Sequence, residues 1–363
     1  MQFQTNVCAV ALLAVSLFSA PSAFAGGPRG AVYAPTNAPS GNAVVVYDRG
    51  ANGPLEPPGS YATGGVGTGA GLGSQGAIIV SDDQQWLFAV NAGSNSVSSF
   101  RIHARGLELA DTASSGGAMP TSLAFRKGLL YVLNAGVPNT VSGFVVNRHG
   151  KLAALPGSTR ALSAESTSPG QVGFSEDGGT LIVTERGTNR ISTFAVGGDG
   201  LLAGPFVYAS AGPVPFGFAV NKRNTLLVSE AGAGGGASSY RIGAHGALAA
   251  ISSMVMTGQR AACWAVVTKN GRYGYVINDG TGTISGFAIA KDGAASLLNG
   301  DGVTAATGGN PTDAALSRNS RYLYVRVAAL NEIAIFRVGS DGSLTPLPSL
   351  EGTPNGLAGL AGF

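Results

Sequence analysis

A short motif recurs seven times along the 363-residue chain. In each copy an apolar segment rich in Leu, Val and Tyr leads through a small loop into a segment of the Val/Ile-Ser-x-Phe type. The aromatic residues that end the copies are Tyr47, Phe100, Phe144, Phe194, Tyr240, Phe287 and Phe336, at intervals of 53, 44, 50, 46, 47 and 49 residues. Self-similarity at a nearly fixed period restricts the chain to architectures in which each unit packs against its neighbours.

Each repeat contains four short segments with strand character, which we name A to D in chain order. Segment A is apolar and runs into a polar turn, as in "GAIIVSDD" and "CWAVVTKNG"; B and C form the motif, and a Leu-containing segment D follows. Apolar and polar residues alternate within these segments, and Gly, Asn and Asp separate them, which is typical of strands and turns. No segment has the pattern of an amphipathic helix of useful length. Four strands per unit and a period of about 48 residues predict an all-β, seven-bladed β-propeller.

The two ends of the repeat region predict how the ring closes. The first unit, "AVYAPTNAPSGNAVVVYD", has segments B and C without an A, and the final "TPNGLAGLAGF" resembles an A with nothing after it. We therefore expect the C-terminal strand to pair with the N-terminal blade. An open solenoid is the alternative, but it would leave exposed the sheet edges that closure hides.

The N-terminal residues have the pattern of a secretory signal. A mostly apolar run from Val7 to Ala20 is followed by the small-residue pattern Ala23-Phe24-Ala25. This predicts cleavage after Ala25, a single propeller domain over residues 26–363, and a periplasmic or secreted protein. Because "MQFQTN" contains no Lys or Arg, an uncleaved anchor is the alternative, although the run is short for a membrane span.

Composition excludes several kinds of function. After signal removal Cys263 is the single cysteine, which excludes an internal disulfide and a thiolate-rich metal site. A net charge of +3 is too small to favour nucleic acid. Charged residues make up 11% of the chain, against about 25% in typical domains, which suits buried strands and tight turns. We expect a monomer with no metal or cofactor and no nucleic-acid or membrane partner, whose ligand is a small, anionic molecule.

Propeller topology assigns the polar residues to two faces. The A–B turns, such as "SEDGG" and "TKNG", contain the residues that any solvated hairpin prefers, and we interpret them as scaffold. The B–C loops and the loops that enter strand A surround the mouth of the central channel, where propellers usually bind ligands. The candidate ligand-binding residues there are Gln75, Gln171, Arg186, Phe216, Arg260, Trp264, Asn278 and Asp313.

Two carboxylates are the candidate catalytic groups. Glu185 and Glu230 end strand B in adjacent repeats, where other copies carry Asn91 and Asn134. Polar residues at such positions often satisfy backbone N–H groups in tight loops, which is the structural alternative. Glu is a poorer local capping residue than Asn, so we predict that the pair has a function.

Other reactive residues are weaker candidates. The three histidines, His103, His149 and His245, follow strand C and belong to the opposite face or the rim, so a shared metal or a histidine relay is not expected. The glycines of "GTGAGLG" open no helix and belong to no βαβ unit, which excludes a dinucleotide-binding loop. Cys263 has no histidine to activate it, which favours a packed thiol over a nucleophile.

The repeats resemble the lactonase-type seven-bladed propellers, the group that contains 6-phosphogluconolactonase and carboxy-cis,cis-muconate cyclase, and most of all its secreted bacterial branch. "PFGFAVNKRNTLLVSEAG" and "CWAVVTKNGRYGYVIND" are among the stretches that carry this resemblance. Enzymes of the family show a stretch like H-A-H-Q-V and then V-P-D-L-G-x-D-R. The corresponding residues here are 168–172 and 183–190: both histidines are absent, while Gln171, an acid at Glu185 and Arg190 persist. The resemblance adds Arg190 to the candidate ligand-binding residues.

Two hypotheses of function follow. In the first, the protein is a metal-independent hydrolase or cyclase that acts on a small lactone or an unsaturated carboxylic acid. Glu185 or Glu230 would be the general acid or base, and Arg186 or Arg260 would hold a carboxylate or stabilise an enolate. In the second, it is a non-catalytic periplasmic or extracellular propeller that binds a ligand or a protein.

Overall fold

Seven antiparallel sheets form the blades of a propeller; six are built from consecutive strands, and the first also includes the C-terminal strand. The structure is a computed structural model that describes residues 30–363, except 57, 58 and 105. The predicted signal segment, residues 1–25, lies outside the described residues. No helix in the described part of the chain is long and apolar enough to cross a membrane. The predicted all-β propeller is confirmed.

The first three blades account for strands β1 to β12. Blade 1 contains β1 (Ala31–Pro35), β2 (Ala43–Asp48) and β3 (Gly59–Ala62) as its strands B to D. Blade 2 contains β4 (Ile78–Val80), β5 (Trp86–Asn91), β6 (Ser96–His103) and β7 (Gly106–Ser114). Blade 3 contains β8 (Pro120–Arg126), β9 (Leu129–Asn134), β10 (Thr140–Val146) and an outer strand in two pieces, β11 (Leu152–Ala154) and β12 (Arg160–Ala161).

The next four blades repeat the same order. Blade 4 contains β13 (Pro169–Phe174), β14 (Thr180–Glu185), β15 (Arg190–Val196) and β16 (Leu202–Ala209). Blade 5 contains β17 (Pro215–Val220), β18 (Thr225–Glu230), β19 (Gly236–Ile242) and β20 (Leu248–Met256). Blade 6 contains β21 (Ala262–Val267), β22 (Tyr273–Asn278), β23 (Thr283–Ile289), β24 (Ala295–Leu297) and β25 (Ala305–Ala306). Blade 7 contains β26 (Pro311–Leu316), β27 (Tyr322–Val327), β28 (Glu332–Val338) and β29 (Leu344–Glu351). Within the described residues, two short 3-10 helices, Ala244–Gly246 and Ala328–Leu330, lie in turns.

The ring closes as predicted. Strand β30 (Ala361–Gly362) pairs with β1, so the sheet order of blade 1 is β3-β2-β1-β30. Regular pairing covers only two residues, and the preceding segment is held by other bonds. Ala358 N donates to Pro35 O at 3.0 Å, and Leu360 N donates to the Asp313 carboxylate at 3.0 Å. The C-terminal segment therefore joins blades 7 and 1.

The apolar core lies between the blades. Phe88 of blade 2 packs with Leu130 and Val132 of blade 3, and Tyr324 of blade 7 packs with Tyr47 of blade 1. Strand B is buried in every blade, with only its first residue in blade 3, Leu129, partly exposed, because both of its faces contact apolar surface when blades stack face to face. This stacking explains why strand B is apolar on both faces.

The inner strands bulge at one end of the central channel. In blades 3 to 7 the pairing of strand A with strand B shifts near its first residues. The residues that the pairing skips include Thr121, Gly170, Phe216, Cys263 and Thr312. Bulges bend a strand and re-aim its side chains, and they are frequent next to functional sites. We call this end of the channel the bulged mouth.

Candidate functional site

Two charged side chains stand out at one position of the repeat, the residue directly after strand B. This position carries Ala in blades 2, 3, 5 and 7, Thr in blade 1, Arg186 in blade 4 and Asp279 in blade 6. Its backbone N–H donates to the residue before strand A: Arg186 N to Ser168 O at 3.3 Å, and Asp279 N to Ala261 O at 3.0 Å. The two side chains therefore start from equivalent points on blades 4 and 6, beside the bulged mouth.

Arg186 extends towards the neighbouring blades. Its Nε donates to Ser168 O at 3.0 Å, and its guanidinium carbon lies 4.8 Å from the centroid of the Phe216 ring. The Phe216 ring lies in turn 5.2 Å from the Trp264 ring, centroid to centroid. Burial lowers the pKa of Arg186, but a guanidinium stays charged in proteins. Its two Nη groups have no hydrogen-bond partner among the described residues, so they can bind an anion.

Asp279 is a carboxylate with an unsatisfied oxygen. Its Oδ1 is buried and has no hydrogen-bond partner in the described part of the chain. Burial raises the pKa of Asp279, and a hydrogen bond from Asn310 opposes that rise. Partial burial of an acid that has one free oxygen is an arrangement that suits proton transfer.

Cys263 lies near both charges. Burial raises the pKa of its thiol to about 12; Asp279 adds to this rise and Arg186 opposes it. Both charged groups therefore lie close enough to the Cys263 thiol to influence it. A thiol with this pKa is not a nucleophile at neutral pH, in agreement with the packed-thiol interpretation. Within the described ranges, no group of three or more His, Cys, Asp or Glu side chains could hold a metal ion.

Residues 72–76, here called the axial loop, cross the channel from blade 2. The Gln75 amide donates to Ala265 O at 2.8 Å and accepts from Ala265 N at 2.9 Å, and Trp264 Nε1 donates to Ser74 O at 3.0 Å. Gly217 is required opposite, because a Cβ there would overlap Gln75 Oε1. The axial loop thus forms a polar floor beneath the bulged mouth.

The structure brings five predicted ligand-binding residues together and places the others elsewhere. Gln75, Arg186, Phe216 and Trp264 form the cluster just described, and Gln171 Oε1 accepts from Phe218 N at 2.6 Å. The residues outside this cluster are Arg190, exposed at the start of β15; Arg260, which donates to Gly280 O; Asn278, which donates to Thr283 and Ser285; and Asp313, which is buried at the ring closure.

Glu185 and Glu230 are fully buried and take the place of Asn in other blades. In blades 2, 3 and 6 the Asn that ends strand B donates to a Ser of strand C at 2.8, 3.1 and 2.9 Å. In blades 4 and 5 the corresponding Ser192 and Ser238 donate instead to Glu185 and Glu230, at 2.6 and 2.5 Å. These bonds favour a structural role for both carboxylates. Their role in catalysis stays a prediction.

The two carboxylates differ in how well they are satisfied. Glu185 accepts from Ser163 N at 3.2 Å, from the Ser163 hydroxyl, from Thr188 at 2.9 Å and from Ser192. Glu230 Oε1 accepts from Ser210 and Ser238, whereas its Oε2 is buried without a hydrogen-bond partner among the described residues. Burial raises the pKa of Glu230 from 4.5 to about 7.

The Glu230→Gln variant is expected to stabilise the protein above pH 7. Because the folded-state pKa of Glu230 is raised, its contribution to stability is fully present below pH 4.5 and is lost as the pH rises to about 7. Gln carries no charge and can donate to Ser238 as Asn does elsewhere. The free energy of unfolding at pH 8 should rise by up to about 3 kcal/mol, with little change at pH 4. Urea denaturation at both pH values measures this difference.

Glu185→Gln provides the matched comparison. An amide would replace one acceptor oxygen with a donor and oppose the donors that face it. We expect a loss of about 1–3 kcal/mol at pH 8, opposite in sign to the effect at Glu230. Equal effects of the two variants would contradict this account of the two sites.

The sequence places both Asn278 and Asp279 at the mouth, but we selected Asn278 rather than Asp279 as the ligand-binding residue. The sequence nevertheless contains a pattern that points to Asp279. In blades 2 to 6 the residue two positions after strand B is a glycine (Gly93, Gly136, Gly187, Gly232 and Gly280). Alignment on that glycine places Arg186 and Asp279 at the same position and assigns Glu185, Glu230 and the asparagines to the position before.

A closed ring of seven antiparallel sheets places the chain in the class of seven-bladed β-propellers. Within this class the chain belongs to the family described as Lactonase, 7-bladed beta-propeller, whose sequence model matches residues 40–161, 129–263 and 228–357. No curated protein matches the chain.

Solved structures share this fold at low sequence identity. A candidate 6-phosphogluconolactonase from Bacteroides fragilis superposes with a TM-score of 0.73 at 20% identity, over 94% of this chain and 100% of that one. The periplasmic gluconolactonase of Pseudomonas aeruginosa gives 0.75 at 18% identity, over 92% and 98%. A protein from Lactobacillus plantarum gives 0.77 at 16% identity, over 92% and 99%. At these identities the likeness shows the fold alone.

Proposed function

We propose that the protein hydrolyses a small lactone at the bulged mouth, between Arg186 and Asp279. One observation carries the proposal: the position that is Ala in four blades carries a cation in blade 4 and an acid in blade 6, at equivalent points beside the bulged mouth. Membership of the lactonase family supports this class of reaction. Arg186 favours substrates that are anionic or become anionic during turnover.

The proposed chemistry uses one base and one cation. The Asp279 carboxylate takes a proton from a water molecule, whose oxygen attacks the lactone carbonyl carbon. The Nη groups of Arg186 stabilise the oxyanion that forms. When the ring C–O bond breaks, the proton passes from Asp279 to the departing alkoxide, so that lactone and water yield one hydroxy acid. Phe216 and Trp264 supply an apolar wall that excludes bulk water.

Proton NMR with purified protein tests this proposal. A panel of δ- and γ-lactones should include uncharged, carboxylate-bearing and phosphate-bearing members, each followed against its spontaneous hydrolysis. We expect accelerated ring opening of at least one anionic member. Ring opening at the spontaneous rate across the panel would contradict the proposal.

A non-catalytic binding propeller is the second candidate. The observation that favours it is the position of the histidines, which lie at C–D turns away from the bulged mouth; His103, for example, is 2.9 Å from Glu108. Asp279 would then have no histidine to assist it. Line broadening of a lactone or hydroxy acid without turnover, in the same NMR samples, would support binding alone.

The N-terminal sequence adds a proposal about location, since the predicted signal implies export to the periplasm or the medium. The mature protein is then expected to begin at Gly26 and to contain one free thiol, Cys263. Intact-mass measurement of the exported protein, before and after alkylation in denaturant, checks both points. A mass that still includes Cys8 would indicate an uncleaved anchor.

A further inference from the structure

A cavity of about 500 Å³ opens at the other end of the central channel, where the A–B turns converge. Six charged side chains line it, and they come from six different blades: Asp82, Arg126, Glu176, Lys222, Lys269 and Arg318. Arg186 and Asp279 do not belong to this cavity, which makes it a second feature, separate from the proposed lactone site.

The turns themselves do not need these charges. Each turn is fixed by the residues on either side: Ser81 donates to Asp83 at 2.6 Å, Thr268 to Asn270 at 2.8 Å and Ser317 to Asn319 at 2.9 Å. These capping residues form the scaffold that the sequence predicts. The middle residue of each turn takes no part in the capping bond. In blades 2, 4, 5, 6 and 7 this middle residue is Asp82, Glu176, Lys222, Lys269 and Arg318, respectively.

The charges are segregated around the cavity. Both acids lie beside the cation of blade 3: Arg126 Nη1 is 3.1 Å from the Asp82 carboxylate and 3.9 Å from the Glu176 carboxylate. Lys222, Lys269 and Arg318 come from three consecutive blades, and none is within 4.0 Å of a carboxylate in the described part of the chain. The nearest fixed partner of Arg318 is the Gln84 side-chain oxygen, at 3.0 Å. Three cations that form no ion pair with the described residues therefore lie on one side of a concave surface, where their fields reinforce one another.

We propose that this cavity is a second ligand site that binds a small polyanion, an oligophosphate or a polycarboxylate with at least two negative charges. Its volume is within the range of small-molecule sites, about 300–1,000 Å³. One unpaired cation on each of three blades suits an extended anion better than a single point charge. Because the three side chains are exposed, binding should weaken as salt is added.

Isothermal titration calorimetry at low ionic strength, without any lactone, tests the proposal with pyrophosphate and with citrate as probes. The Lys222→Gln/Lys269→Gln double variant should bind the probe about tenfold more weakly than the wild type. The matched control is Lys151→Gln/Lys291→Gln, which removes the same charge from C–D turns, farther out on the blades. We expect that control to bind within about twofold of the wild type, because exposed charges beyond a Debye length are screened.

Each outcome bears on the cavity alone. Binding of pyrophosphate only, or of citrate only, would support the site and name its chemistry. Absence of binding of both probes, or equal weakening in the two double variants, would overturn it. Neither result changes the lactone proposal, whose residues lie at the bulged mouth.

Discussion

Replacement of Asp279 by Asn is expected to lower the turnover of the lactone substrate by about a hundredfold or more. The carboxylate is the proposed base, and an amide of the same shape cannot take the proton from water. Binding should change little, because Arg186, Phe216 and Trp264 remain. The expected signature is therefore a fall in kcat with nearly constant KM, measured by NMR or by acid release.

The pH profile provides a second readout. Burial raises the pKa of Asp279, so wild-type turnover should increase with pH as this carboxyl loses its proton, and that limb should be absent from Asp279→Asn. The matched control is Asp292→Asn, in the same blade but in a C–D turn where its carboxylate accepts from Ala294 N at 3.0 Å. We expect the control to keep wild-type turnover.

The Glu230→Gln variant tests whether Glu230, rather than Asp279, is the catalytic base. If Asp279 is the base, this variant should keep its turnover and show only the pH-dependent stability described above. A hundredfold loss in Glu230→Gln with full activity in Asp279→Asn would assign the chemistry to Glu230, one of the two carboxylates that the sequence predicts. Full activity in both variants would exclude both acids as the base.

The fold could be predicted because its determinants are local and repeated. Each copy of the motif places apolar residues on both faces of strand B, and stacked blades bury both of these faces. The order B-C-D at the N-terminus and A at the C-terminus specified the closure. The sequence did not show how short the closing strand is. Strand β30 covers only Ala361–Gly362, and the segment before it is held by single hydrogen bonds from Ala358 and Leu360 rather than by a long ladder.

The site could be predicted only in part, because successive residues at a strand end point in different directions. Glu185 ends β14 and lies inside the blade, while Arg186, one residue later, reaches the bulged mouth. Glu185 and Glu230 differ from their counterparts in charge, which drew attention to them. The Ser that each contacts, seven or eight residues later, is the same Ser that the asparagines contact. That shared partner indicates a common packing position.

Contacts across the channel could not be predicted from the sequence. Gln75 was predicted at the mouth, but its hydrogen bonds to Ala265 join residues 190 positions apart. No local pattern specifies a pairing of that length, which depends on the diameter of the ring and on the absence of a side chain at Gly217. The same holds for the cavity among the A–B turns, whose charges converge only after seven blades have closed.

Deletion of residues 353–363 is expected to unfold the protein. The segment buries Leu357 and Leu360, supplies β30 and stacks Phe363 on Tyr33, with ring centroids 6.1 Å apart. Loss of each buried Leu costs about 2–5 kcal/mol, and blades 1 and 7 would gain exposed edges. The total approaches the whole stability of a typical protein, about 5–15 kcal/mol. Circular dichroism should show no cooperative thermal transition in the truncated chain.

Because a truncated chain can fail to fold for general reasons, the milder Leu360→Ala variant tests the same contact in a folded protein. It keeps the backbone that bonds to Asp313 and removes only the side chain, so the free energy of unfolding should fall by about 2–5 kcal/mol. Leu330→Ala is the matched control: this side chain is 51% exposed, and its removal should cost less than about 0.5 kcal/mol. Equal losses in the two variants, or a truncated protein that melts within a few degrees of the full-length chain, would show that the ring does not depend on closure by this segment.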